Sequence, residues 1–185
     1  MKKTSLILAS VLTISYLQAN NIEIKQEGMK YIKMLGGELK QNLQSKMKED
    51  PTGESALGFC IGTADSITEK VNKKLPSHAS VRRTAIKYRS DSNKPDAKDI
   101  EVMNTYIEKL KNKTFSPKSI IMTQDGNNYR VYKPLVTKAV CLKCHGENIS
   151  DKLKPIISKA YPNDLAINFK EGDFRGVIVS EIKKD

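Results

Sequence analysis

The sequence predicts an α+β domain in which two long N-terminal helices pack on an antiparallel sheet. Apolar residues recur every three or four positions across 22–47 and again across 51–75, which is the period of an amphipathic helix. Farther along the chain, short alternating or β-branched segments are separated by turn residues, as is typical of strands. Helices followed by neighbouring strands with short connections are the pattern of an α+β domain.

Both helices have recognisable apolar faces. The first face comprises Met29, Ile32, Leu35, Leu39, Leu43 and Met47. Asp50 and Pro51 favour the start of the second helix, as cap and first helical residue, and Pro76 ends it. The second face comprises Leu57, Cys60, Ile61, Ala64, Ile67 and Val71.

The rest of the chain is predicted to alternate between strands and short helices. Strands are expected at 83–88, 119–123, 129–136 and 176–182, and helices at 95–110 and 150–157. Asp125-Gly126 is a hairpin signal between the second and third strands. There is no internal repeat or low-complexity segment.

The N-terminus has the three parts of a secretory signal peptide. Lys2 and Lys3 are followed by an apolar run over 6–17 and by the small residue Ala19. A membrane anchor is the alternative, but the run is shorter than the roughly 20 residues that a span requires. We therefore expect a signal peptide at 1–19, a single domain at 20–185, and export to the periplasm without a transmembrane segment.

The chain is basic, with a formal net charge of +11. An exported basic protein is not expected to bind nucleic acid, whereas long-range attraction suits an acidic periplasmic redox partner or a membrane surface. The alternative is that the lysines only maintain solubility.

The three cysteines point to the chemistry of the site. Cys141 and Cys144 are spaced by two residues and followed directly by His145, which is the signature of covalent haem c attachment. Two thiols at this spacing reach the two vinyl groups of a porphyrin, and the adjacent imidazole reaches the iron. A redox-active dithiol, or zinc bound by the three cysteines and a histidine, are the alternatives.

The second axial ligand of such an iron is left open by spacing alone. Cys60 is an unpaired thiol on a predicted helix face, where a free cysteine often only fills space. A surplus thiol is nevertheless unusual in an exported protein, and iron ligation would explain it. His78, an open position and five methionines are the other candidates: Met29, Met34, Met47, Met103 and Met122.

Several sequence blocks, in order, resemble the PAS-like haem c family of small exported or sensor-attached single-haem domains. The blocks span most of the chain after the signal peptide: Gly58-Phe59-Cys60, Val81-Arg82-Arg83-Thr84, Asn93-Lys94-Pro95-Asp96, Pro134, Cys141 to Gly146, Tyr161-Pro162 and Lys170 to Gly176. The resemblance implies a PAS- or Cache-like sheet with long N-terminal helices. It also implies one haem ligated by His145 and by Cys60.

Arg82 and Arg83 are candidate partners for the haem propionates, because guanidinium pairs well with carboxylate. Adjacent residues on a strand face opposite ways, so we expect only one of them to do so. The functional expectation is electron transfer, with haem-based sensing of redox state or of a gas such as NO or CO as the alternative. No catalytic residue is predicted, and an enzyme is not expected because a filled distal site excludes substrate.

Overall fold

The computed structural model describes the backbone of residues 5–184 and the side chains of residues 21–184. The helices are α1 (Ser5–Glu49), α2 (Glu54–Gly62), α3 (Ala64–Asn72), α4 (Ala97–Lys111), α5 (Leu142–His145) and α6 (Leu153–Ala160). The strands are β1 (Ala79–Thr84), β2 (Ile121–Asp125), β3 (Asn128–Val136) and β4 (Phe174–Lys183). Short 3₁₀ turns lie at Asp91–Asn93 and Ala139–Cys141.

The four strands form one antiparallel sheet in the order β1-β4-β3-β2. The β2–β3 hairpin turns at Gly126, whose φ of 55° lies in the left-handed region that glycine adopts freely. One irregularity interrupts the β3–β4 ladder: Leu135 pairs with Gly176 and Val136 with Phe174, so Arg175 is an extra residue on β4. This is a β-bulge, which bends a strand and redirects a side chain.

Each face of the sheet carries its own hydrophobic core. On one face α1 and α3 pack against the sheet, and buried members of this core include Ile32, Leu35, Val81, Val131 and Ile178. On the other face α4 packs through Val102, Met103 and Tyr106 against Tyr132, Val177 and Val179. The alternation of β4 residues between these cores is the strand period of two expressed in packing.

Helix α1 approaches the sheet most closely at Gly28. A Cβ added there would lie 2.6 Å from Ser180 Oγ and 2.6 Å from Val131 Cγ2. Only glycine therefore allows the helix backbone to lie this near to β3 and β4.

The predicted α+β class and antiparallel sheet are confirmed. The first long helix is present, and the second is divided at Thr63 into two nine-residue helices. The strand predicted over 83–88 is wrong in position, because pairing of β1 with β4 ends at Thr84 opposite Val177. Beyond that pair β4 bulges, and residues 85–88 leave the sheet.

Residues 1–4, residue 185 and the side chains of residues 5–20 lie outside the described part of the chain, so only the backbone of the predicted cleavage region near Ala19 is described. Within the described residues, no helix combines the length and the apolar character that crossing a membrane requires.

Candidate functional site

A cavity of about 240 Å³ lies on the α1 side of the sheet, where β1 and β3 end and β4 begins. Its lining brings together all three cysteines and the motif histidine: Cys60, Cys141, Cys144 and His145. Residues from α1, α2, the segment that follows β1, and the bulge of β4 complete the wall. The motif thiols and the surplus thiol, separated by some eighty residues in sequence, therefore face one space.

The motif itself is a compact turn. Cys141 ends a 3₁₀ turn and residues Leu142–His145 form one helical turn, so both thiols and the imidazole line the same cavity. The backbone N–H of Lys138 donates to Cys141 Sγ at 3.4 Å. Gly146 follows because a Cβ there would lie 2.5 Å from the Leu142 carbonyl oxygen that its own N–H binds.

His145 is held in the tautomer that a metal ligand needs. Its Nδ1 lies 2.8 Å from the carbonyl oxygen of Ala166, and a carbonyl only accepts, so Nδ1 carries the proton. Burial lowers the pKa of His145 well below its usual value, and the charges of Arg175 and Arg89 lower it further. The imidazole is thus neutral at pH 7, with the lone pair of Nε2 free to bind a metal.

Arg89 ties the motif to the loop that orients His145. Its guanidinium pairs with Asp164 at 2.9 Å, and both side chains are only 9% exposed. The same group donates to the carbonyl oxygens of Cys144 at 2.6 Å and of Ala166 at 3.2 Å. Arg89 therefore links the helical turn of the motif to the carbonyl that fixes the histidine tautomer.

Cys60 reaches the cavity from a different element. It lies on α2, and Leu57, one turn earlier on the same helix, is in the small hydrophobic cluster against which Cys144 packs. Burial raises the pKa of the Cys60 thiol, although the charges of Arg83 and Arg89 act in the opposite direction. Tyr161 donates its hydroxyl to the Cys60 carbonyl at 3.2 Å and so connects α2 to the segment after α6.

The two predicted arginines face opposite sides of the sheet. Arg83 lines the cavity, where its Nε is buried without a hydrogen-bond partner and its Nη2 lies 3.5 Å from Asp65. Arg82 does not line the cavity. It pairs with the fully buried Asp99 at 2.9 Å and with Glu181 at 3.0 Å on the α4 side. The prediction for Arg82 is corrected accordingly, because strand alternation and this ion pair turn it away from the site.

Among the other candidate ligands, only Met47 of α1 lines the cavity. His78 lies at the start of β1, where its Nε2 is 2.8 Å from Glu27. Glu27 also accepts from Lys184 and from Tyr31, each at 2.8 Å. Burial raises the pKa of Glu27, but hydrogen bonds from Lys184, His78 and Tyr31 outweigh it and lower the value to about 2. His78 is therefore engaged in a polar cluster away from the thiols.

Sequence reasoning missed two arginines that line the cavity, Arg89 and Arg175. Arg175 lies in the block from Lys170 to Gly176, which entered the sequence analysis only through the family resemblance. The sequence offered no comparable signal for Arg89.

The donor set fits a covalently bound haem. Two thiols are available for attachment, an imidazole with a free Nε2 follows them, a third thiol comes from α2, and arginines are present for carboxylates. Among the described residues, no group of three or more His, Cys, Asp or Glu side chains is arranged to hold a metal ion. A zinc site built from the three cysteines and a histidine would require these side chains to move.

A solved structure shares this fold. No curated protein sequence matches the chain. The crystal structure of the cyanobacterial heme-protein Tll0287 is similar, with a TM-score of 0.59 and 19% sequence identity. The likeness covers 91% of this chain and 96% of that chain, and at this identity it shows a shared fold. A model of the Tll0287-like family matches residues 3–182, nearly the whole chain, and the chain therefore belongs to the Tll0287-like family.

Proposed function

We propose that this chain is a periplasmic c-type cytochrome that binds a single haem covalently and transfers electrons. The observation that carries the proposal is the shared cavity, in which the two motif thiols and His145 meet the thiol of Cys60. The heme-protein of similar fold supports the cofactor, and the predicted signal peptide supports export, which covalent attachment of haem requires.

Each residue has a defined task in this proposal. Cys141 and Cys144 would hold the haem, each by adding its S–H bond across one vinyl group to form a C–S bond without a by-product. His145 would ligate the iron through Nε2, since Nδ1–H donates to Ala166. Cys60 would be the second iron ligand: among the candidates only its thiol and the Met47 thioether line the cavity, and the family resemblance favours the thiol.

The bound haem supplies a one-electron couple between ferric and ferrous iron. The chain would hold the iron through two elements, the motif turn and α2, which share the hydrophobic cluster around Leu57. The motif turn is fixed by Arg89 and by the Ala166 carbonyl, and α2 is fixed by the cluster around Leu57. An iron site held from both sides needs little rearrangement on reduction, which favours electron transfer. The full sequence has a net charge of +11, of which only Lys2 and Lys3 lie in the predicted signal peptide, and the strongly basic remainder suits an acidic redox partner.

Sensing is the second candidate, and the structure of α2 favours it over an enzyme. This helix has only nine residues, and its first turn is capped from outside the helix by the Asp50 carboxylate, which accepts from the Ser55 N–H at 2.9 Å. A short helix of this kind can shift at modest cost, which would release Cys60 and open a position for a gas.

The test is expression of the full chain in a host competent for cytochrome maturation. We expect periplasmic protein heavier by one haem, with a c-type pyridine haemochrome spectrum. Cys141→Ser and Cys144→Ser should each lose one covalent bond, whereas the matched variant Cys60→Ser should retain both. Colourless protein containing zinc would contradict the proposal. Carbon monoxide then separates the two roles, because rapid binding to the reduced protein favours sensing and a reversible couple without ligand loss favours electron transfer.

A further inference from the structure

The bulge in β4 changes the direction in which Arg175 points. Val177 and Val179 pack against α4, and in a regular strand residue 175 would share their face. Instead Phe174 takes that side and stacks on Tyr106, with ring centroids 5.7 Å apart. The extra residue, Arg175, is displaced into the cavity on the α1 side of the sheet.

Gly176 makes this bulge possible. Its φ of 148° lies in a region that favours glycine, and a Cβ there would lie 2.6 Å from the Thr84 carbonyl oxygen and 2.8 Å from Ala85 Cβ. The bulge is therefore held by the close approach of β4 to the end of β1. A backbone irregularity beside a cavity is a recurrent way of aiming a side chain at a ligand.

The guanidinium of Arg175 has no anionic partner among the residues whose side chains are described. Its Nη1 donates to the Lys87 carbonyl at 2.9 Å, and its Cζ lies 5.2 Å from the Phe169 ring centroid. By contrast, Arg89 pairs with Asp164, and Arg83 pairs with Asp65. Burial, followed by the charge of Arg89, lowers the pKa of Arg175 to about 10.

The cavity as a whole has an excess of positive charge. Three arginines line it, against one lining carboxylate, Asp65, which is paired with Arg83. Arg89 is paired with Asp164, which lies outside the lining. The buried Nε of Arg83 also has no hydrogen-bond partner. A buried donor without a partner and a cation without an anion in one cavity call for a carboxylate ligand.

We propose that Arg175, with Arg83 beside it, binds a propionate carboxylate of the haem and that the β4 bulge exists to place it there. This inference rests on the proposed function, because it assumes that haem occupies the cavity. It gives a residue of the Lys170 to Gly176 block a role in binding haem. It also replaces Arg82 in the pair of arginines that the sequence suggested.

A structural role is the competing explanation, since Arg175 contacts the Lys87 carbonyl and Phe169. Arg175→Met retains apolar contact with the ring and removes the charge. Arg175→Lys retains the charge and removes the planar fork that binds carboxylate with two parallel bonds. Lys170→Met is the matched control. It also removes one positive charge, but Lys170 lies five residues before Arg175 and its side chain is 74% exposed.

The experiment compares these haem-loaded variants by potentiometry and by resonance Raman spectroscopy. We expect Arg175→Met to lower the equilibrium constant for reduction about tenfold, which is about 59 mV for a one-electron couple. Removing a cation beside the haem favours the more positive ferric state. Arg175→Lys should change the constant by less than about threefold, and Lys170→Met by less than about twofold because an exposed charge is screened. The propionate bending bands should shift in both Arg175 variants and stay unchanged in the control.

Unchanged bands and an unchanged potential in haem-loaded Arg175→Met and Arg175→Lys would overturn the inference. A potential of the wild-type protein that depends on added inorganic phosphate, with the dependence lost in Arg175→Met, would also overturn it, because the arginine would then bind an anion from solution. Failure of the wild-type protein to carry haem is a different outcome, which would refute the proposed function itself.

Discussion

Replacing Arg89 with methionine tests the structural frame of the site, because the arginine is removed while most of its volume is kept. Asp164 would lose its cation in surroundings where both side chains are 9% exposed. The Cys144 carbonyl would lose a donor at 2.6 Å, and the Ala166 carbonyl would keep only His145.

The expected magnitude follows from these contacts. Breaking a buried ion pair on one side costs about 3–5 kcal/mol, because an uncompensated charge stays behind. Leaving the buried Cys144 carbonyl without its hydrogen-bond donor costs about 1–3 kcal/mol more. We therefore expect Arg89→Met to lower the free energy of unfolding by at least about 3 kcal/mol, a large share of the 5–15 kcal/mol typical of a domain.

A double-mutant cycle separates the ion pair from the carbonyl contacts. Asp164→Leu alone leaves Arg89 as the uncompensated charge and should cost a similar amount. The double variant removes both charges, so its cost should approach that of the lost hydrogen bonds alone, about 1–3 kcal/mol. The two single changes should therefore couple by at least about 2 kcal/mol.

The assay is unfolding of the haem-loaded protein in guanidinium chloride, followed by circular dichroism. An Arg89→Met variant within 1 kcal/mol of the wild type, or additive single changes, would refute the reasoning. The fold would then not depend on the contact between the motif turn and the 164–166 segment.

Three further predictions concern other parts of the molecule. In the haem-loaded protein, Cys60→Ala should alter the ferric absorption spectrum and Met47→Leu should leave it unchanged; the reverse result would make Met47 the ligand. The wild-type protein should lose stability between about pH 5 and pH 2. The ionised Glu27 carboxylate stabilises the folded state above the pKa that it has in the unfolded chain, and this stabilisation is lost as the pH falls towards the folded value of about 2. Denaturation measured across this range should show a flatter pH profile for Glu27→Gln. Gly176→Ala should cost about 1–3 kcal/mol in chemical denaturation, whereas Gly37→Ala, where the added Cβ has open space, should stabilise by up to about 1 kcal/mol.

Much of the fold could be predicted because local signals agree with the tertiary structure. The apolar period of 22–47, the helical pattern of 95–110 and the Asp125-Gly126 turn each act over a few residues, and all three are present. The failure at β1 has a non-local cause. Alternation over 83–88 resembles a strand, but pairing stops where a bulge in β4, ninety residues later, ends the ladder.

The site residues also fall into two groups, those that local sequence predicts and those that depend on distant contacts. Cys141, Cys144 and His145 are adjacent in sequence, so their shared cavity could be expected, and strand alternation anticipated that Arg82 and Arg83 would separate. Arg89 and Arg175 could not be found this way. Their roles depend on contacts with residues 75 and 88 positions away, which no local pattern encodes. The family resemblance of the sequence blocks is confirmed, while the ligand roles of the residues stay predictions.

The contact at Gly28 has a mechanical consequence for the whole domain. Val131 and Ser180 leave no clearance at that point, so α1 cannot roll about its own axis without displacing two strands. The same helix carries Leu43 and Met47 into the cavity, fifteen or more residues away, which is about 22 Å along a helix. Because α1 is held at Gly28, an expansion of the cavity at Leu43 and Met47 would require the helix to bend or tilt between these points.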